Sequence, residues 1–292
     1  MKKLKVAVCY SGAVRGLLNN FEHVNDVFFS QDDIYDIDYY LYADPRGATI
    51  HQKDIDSGEI EPQGLKVQEE RPDFKCLFED ESQGLEEKMQ RFSENIVGYH
   101  MPYKEQVLQW NSVQKVFDFV FSQKKEYDVY VRLRCDLFPA GKMIFDWKTY
   151  NENTVYVPFN APFGGINDRF AFGSKKAMRV YSNFYESEIY YKAKSKDGTA
   201  EQKGYEFYNK YYPHIPTDNY GGGMLNSEYR MLTHLLDNGL EVEVLPPENL
   251  HIGAVRDSDG MIRYGGPDLE EILERNNQAN IEELYYDRKW WK

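Results

Sequence analysis

Apolar positions recur at two periods along the chain, and the alternation of those periods sets the expected architecture. Residues 5–10, Lys5-Val6-Ala7-Val8-Cys9-Tyr10, form a near-continuous apolar run closed by Ser11-Gly12, as in a strand buried on both faces. Leu17, Leu18, Phe21, Val24, Val27 and Phe28 then follow at helical spacing. Strand, glycine turn and helix in that order open a nucleotide-binding α/β fold. A second strand is expected over 37–43, a polar loop over 44–62, a short strand over 65–68 and a charged helix over 80–96. Val107, Trp110, Val113, Phe117 and Val120 mark one face of a helix over 103–122. The β-branched, alternating run 128–134 is the clearest strand and leads into Cys135-Asp136. Further strands are expected over 154–158, 169–172 and 240–245, with helices over 174–184 (N-cap Ser174) and 226–238 (closed by Gly239). Residues 187–223 read as a long polar loop, and the acidic stretch 266–292 as a helical tail.

The pattern predicts an α/β fold with a central, mostly parallel sheet flanked by helices. No internal repeat or low-complexity linker divides it, so one domain over 1–292 is expected. Composition then narrows the partners. The formal charge of −13 argues against a nucleic-acid backbone as ligand. No apolar run is long enough to span a bilayer, and the apolar stretch after Met1-Lys2-Lys3 is too short for a signal peptide. Three scattered cysteines suit a reducing compartment, so a cytoplasmic protein is expected. The 24 tyrosines suit either stacking on sugar rings or a tyrosine-rich core.

Candidate chemistry gathers at the strand ends. Arg132 and Arg134 lie two residues apart on one strand and so share a face, with Asp136 just beyond. Two cations on a buried face need anionic partners, either an internal carboxylate or a bound phosphate; a structural Arg–Asp ion pair fits the same spacing. Ser11-Gly12-Ala13-Val14-Arg15-Gly16, between strand and helix, suits an anion at a helix N-terminus or a plain turn. It is neither Gly-x-Gly-x-x-Gly nor a P-loop, which weighs against dehydrogenase and kinase readings. Gly221-Gly222-Gly223 allows close backbone approach to a ligand. Behind it, Glu228 falls in the first turn of a helix, as a proton acceptor or an ordinary first-turn acid. His251 follows the last strand as a ligand or a packed side chain.

Taken in order, Ser-Gly-x-x-Arg at 11–15, Tyr-Asp-Val-Tyr-Val-Arg-Leu-Arg-Cys-Asp-Leu at 127–137, Asn-Asp-Arg-Phe-Ala-Phe-Gly-Ser at 167–174 and Glu228 resemble GT-A-type glycosyltransferases. The group in question occurs in large DNA viruses, algae and bacteria, and the likeness spans most of residues 1–255. It implies a single Rossmann-like GT-A domain, with a nucleotide-sugar-binding half over about 1–140 and an acceptor-binding half over about 141–265. The implied activity is transfer of a sugar from a UDP- or GDP-sugar donor to a glycan or other hydroxyl acceptor, inverting and assisted by Mn²⁺ or Mg²⁺. In that scheme Ser11, Gly12, Arg15, Arg132, Arg134 and Asp136 bind the donor. Asp136 matches the last acid of the family's Asp-x-Asp motif, whose first acid is Arg134 here. His251 resembles the C-terminal metal-binding histidine, Asp168 a sugar contact, and Glu228 the base. Two readings from other classes stand beside it: a non-catalytic carbohydrate-binding protein, and another nucleotide-using enzyme such as a nucleotidyltransferase.

Overall fold

The computed structural model describes residues 3–14, 16–29, 34–45, 63–80, 87, 104–141, 150–159, 165–186, 199–212, 227–245, 250–255 and 262–263. Expected features at Arg15, Gly221–Gly223, most of 80–96 and the tail from 266 lie outside them. In chain order the elements are β1 (Leu4–Ser11), α1 (Leu17–Phe29), β2 (Tyr35–Ala43), α2 (Gln63–Glu70), β3 (Phe74–Phe78) and α3 (Lys104–Phe121). They continue as β4 (Val129–Arg134), β5 (Leu137–Gly141), β6 (Thr154–Pro158), β7 (Phe170–Gly173), α4 (Lys175–Ser182) and a 3₁₀ turn (Asn183–Glu186). The described chain closes with α5 (Thr199–Tyr211), α6 (Ser227–Asp237), β8 (Glu241–Leu245), β9 (Leu250–Val255) and β10 (Ile262–Arg263).

Seven strands form one sheet in the order β3-β2-β1-β4-β7-β6-β8. The pairings β1–β2, β1–β4, β2–β3 and β6–β8 are parallel, while β7 runs antiparallel to both β4 and β6. The expected mixed, mostly parallel α/β sheet is what the chain builds. Alternation along β1 shows how: Val6 and Val8 enter a core with α1, Ala7 and Cys9 a core with α3. Helices therefore cover both faces, which is why apolar residues occupy both faces of the central strands. The α3 stripe is buried as expected, with Val107, Trp110, Val113 and Phe117 all 0% exposed. A second sheet, β10-β9-β5, begins where the chain leaves β4 through Cys135-Asp136.

Local signals behave as their chemistry dictates. The Ser174 hydroxyl caps α4 by accepting from the Ala177 N–H. Gly239 takes a φ of 74° just past α6, the left-handed C′ conformation that glycine allows. Two expectations need correction. Residues 65–68 lie within helix α2, not a strand; Val67 is buried while Leu65 is exposed, so the two do not share a face as alternation would require. The segment 187–223 contains helix α5, whose buried Gly204, Phe207 and Tyr208 follow helical spacing. Of the two roles open to the tyrosines, Tyr10, Tyr40, Tyr42, Tyr130, Tyr181, Tyr208 and Tyr212 take the core one, while Tyr205 is exposed.

Candidate functional site

The sheet's winding reverses between β1 and β4. From β1 the chain proceeds outward through β2 to β3 on one side; β4 and its neighbours lie on the other. The carboxyl ends of adjacent strands at such a reversal are where α/β sheets take ligands. The parallel register sets Ser11 beside Arg134 at these two strand ends. Gly12 turns the chain there with a φ of 104°, accessible to glycine alone at low cost. The Ser11 hydroxyl is buried and makes no hydrogen bond among the described residues. Expected partner Arg15 is outside the described residues.

Arg134 and Asp136 form a side-on pair. Arg134 Nε donates to Asp136 Oδ1 at 2.8 Å and Nη2 to Oδ2 at 2.7 Å. The geometry is bidentate, the strongest form of such a contact. Burial pulls the Arg134 guanidinium toward neutrality, but Asp136 and Asp168 outweigh it and hold the proton more firmly than usual. The pair uses the Nε–Nη2 edge, so the Nη1 donors of Arg134 are the part of the fork left to reach a ligand.

Arg132, on the same face and 0% exposed, is the least satisfied group in the neighbourhood. Its Nη1 donates to the Arg169 carbonyl at 2.8 Å, while Nε and Nη2 have no hydrogen-bond partner among the described residues. Burial lowers its proton affinity; nearby Tyr181 and Asp168 oppose that shift. The Arg169 carbonyl also accepts the Arg134 N–H, at 3.1 Å. The segment 167–169 is thereby clasped to the end of β4, with the Asn167 side chain accepting from the Arg169 N–H at 2.8 Å. Arg132 and Arg134 share the field of two carboxylates, Asp136 and Asp168, while Arg169 Nη1 donates to the Ile252 carbonyl at 3.4 Å.

Asp168 and Glu228 are brought into one neighbourhood through the backbone. Ile166 N–H donates to the Glu228 carbonyl at 3.3 Å. Gly165 lies so close that a Cβ there would fall 1.9 Å from the Glu228 carbonyl carbon. Asp168 is two residues beyond Ile166, within about 7 Å of extended chain. Glu228 sits partly exposed in the first turn of α6, as expected.

The expected metal ligands Asp136 and His251 come from the two ends of one ladder. The β5–β9 pairing sets Leu137 opposite Ala254 and Ala140 opposite His251. The backbone of Asp136 is thus four residues from that of His251 along the ladder, roughly 13 Å at the rise of a strand. Both Asp136 oxygens already hold Arg134. Among the described residues no three acidic, histidine or cysteine side chains gather as a metal site.

Sequence reading missed Gln109, Gly165 and Tyr181. Gln109 on α3 donates a short hydrogen bond to Asp168 Oδ2, and Tyr181 on α4 lies in the field of Arg132 and Asp168. Nothing local marks them; only Gly165, beside Gly164, carried a signal of close backbone approach.

Among the described residues no helix is long and apolar enough to cross a membrane. No family model matches the chain, and no curated protein does. Among solved structures it is similar to mouse xyloside xylosyltransferase 1 in its apo form, at 10% identity and a TM-score of 0.37, over 85% of this chain and 86% of that one.

Proposed function

We propose that the chain is a glycosyltransferase that binds a nucleoside-diphosphate sugar at the carboxyl ends of β1 and β4. One observation carries the reading: at a reversal of sheet order, the Ser11-Gly12 turn stands beside Arg134. In this scheme Asp136 pins the guanidinium by its Nε–Nη2 edge, and Nη1 donates to the diphosphate. Arg15 adds a second cation from the turn, and Arg132 raises the positive potential from beneath. Asp168 accepts hydroxyls of the sugar. Glu228, at a helix start beside the 165–168 segment, takes the proton of the attacking acceptor hydroxyl, as an inverting transfer requires. Charge on the leaving diphosphate is met by guanidinium groups, and no step is assigned to a metal ion.

The bidentate Arg134–Asp136 pair also favours a second reading, in which it braces the strand end and the chain binds nucleotide or glycan without transfer. Release of nucleoside diphosphate from UDP- and GDP-sugars separates the two. The transferase releases it slowly even onto water, and the binder never does. Pyrophosphate release would point instead to a nucleotidyltransferase.

A further inference from the structure

Asp168 is held in an asymmetric way. Its residue is 7% exposed, and the field of three groups reaches it: Arg132 and Arg134 from β4 and Tyr181 from α4. The two arginines supply charge but no contact. Among the described residues, the Arg132 fork spends Nη1 on the Arg169 carbonyl and leaves Nε and Nη2 unbonded, and Arg134 spends its edge on Asp136. Among the described residues, the hydrogen bond to the Asp168 carboxylate comes from Gln109, whose Nε2 donates to Oδ2. Trp110, next to Gln109, is fully buried and meets the Tyr181 ring edge-on with centroids 6.0 Å apart. The helix face bearing Gln109 is therefore fixed against the sheet.

An amide in that place has a chemical consequence. It orients a carboxylate without neutralising it, since it brings a donor and no charge. A lysine there would form a second ion pair and quench Asp168; a carboxyl would repel it. With Oδ2 occupied, Oδ1 is the oxygen left to accept a hydroxyl.

We infer that Gln109 is a positioning residue that turns Asp168 so that Oδ1 receives a hydroxyl of the sugar moiety; this rests on the nucleotide-sugar reading above. Two variants test it, Gln109→Glu and Gln109→Leu, by melting temperature from pH 4.5 to 8.5 and by calorimetric titration with UDP and with UDP-glucose. In Gln109→Glu the introduced carboxyl shares the contact while protonated and repels Asp168 once ionised. Its melting temperature is expected to match the wild type at the acid end and fall away as pH rises. Arg132, Arg134, Tyr181, Arg169 and Glu228 are common to both proteins, so the difference profile isolates the exchanged side chain. Gln109→Leu is expected to lower stability by a constant amount. The additional affinity for UDP-glucose over UDP is expected to drop roughly tenfold in Gln109→Leu and to recover at acid pH in Gln109→Glu. UDP affinity itself stays unchanged. A pH-independent melting difference for Gln109→Glu overturns the contact. A UDP-glucose increment that survives in Gln109→Leu overturns the positioning role. Should the wild type bind neither probe, the nucleotide-sugar reading fails, and with it the proposed sugar contact, while the melting profile still decides the Gln109–Asp168 bond.

Discussion

Replacing Asp136 with alanine strips the counter-charge from Arg134 and leaves a guanidinium at the sheet's end with one fewer partner. The side chains of this pair are 17% and 4% exposed, so solvent screens it only in part. Two unit charges about 4 Å apart interact by about 4 kcal/mol at the effective dielectric of a protein's outer layers. Removing one member of a buried pair costs about 3–5 kcal/mol, most of it the burden of the charge left behind. Asp168 also acts on Arg134 and the fork is not fully buried, which places the expected loss near 3 kcal/mol. Equilibrium urea unfolding measures it. A companion variant, Arg134→Met with Asp136→Leu, removes both charges and is expected to lose less than about 1 kcal/mol. Both variants should lose UDP and GDP binding, because one disorients the fork and the other deletes it. An Asp136→Ala protein within about 1 kcal/mol of the wild type would mean that the pair is not what holds Arg134. Undiminished nucleotide affinity in the double variant would remove Arg134 from the diphosphate site.

Three further outcomes are expected. Gly165→Ala forces a methyl against the Glu228 backbone, at 1.9 Å from its carbonyl carbon, and should cost more than the about 1–3 kcal/mol typical of overpacking, read by the same unfolding assay. Glu228→Gln should abolish transfer while UDP affinity stays within about twofold, since only the base is lost; retained turnover would exclude Glu228 from that role. Burial, aided by Asp73, pushes the Cys76 thiol up to about 11, so at pH 8 it is almost wholly protonated. Its reaction with a disulfide reagent should be slower by roughly two orders of magnitude in the folded protein than in denaturant, accelerating only as pH climbs toward that value. A fast native phase would contradict it.

What the sequence disclosed follows from how local each signal is. β1 and β4 were legible because both faces of a central strand are covered, which writes a near-continuous apolar run into residues 6–10 and a β-branched apolar stretch into 129–131. α2 was misread because Leu65 and Val67, two apolar residues in a short window, satisfy either period; only the burial of Val67 against exposed Leu65 separates them. α5 was hidden because its inward residues include Gly204 and Tyr208, poor markers of an apolar stripe. β5 carries Pro139, which a central strand rejects; it sits at the edge of the smaller sheet, where a missing N–H does no harm. At the site, the shared face of Arg132 and Arg134 follows from strand geometry alone. The Gln109–Asp168 bond and the Gly165–Glu228 approach do not, because each joins residues 59 or more positions apart by a route only the tertiary fold defines.

The most direct test of the account is calorimetric titration of the wild-type protein and Arg134→Met with UDP and GDP, each in the presence of EDTA. The account predicts saturable binding of at least one nucleotide to the wild type without added metal, and a loss of roughly tenfold or more in Arg134→Met. Absence of binding by the wild type under these conditions, or equal binding by both proteins, would contradict it.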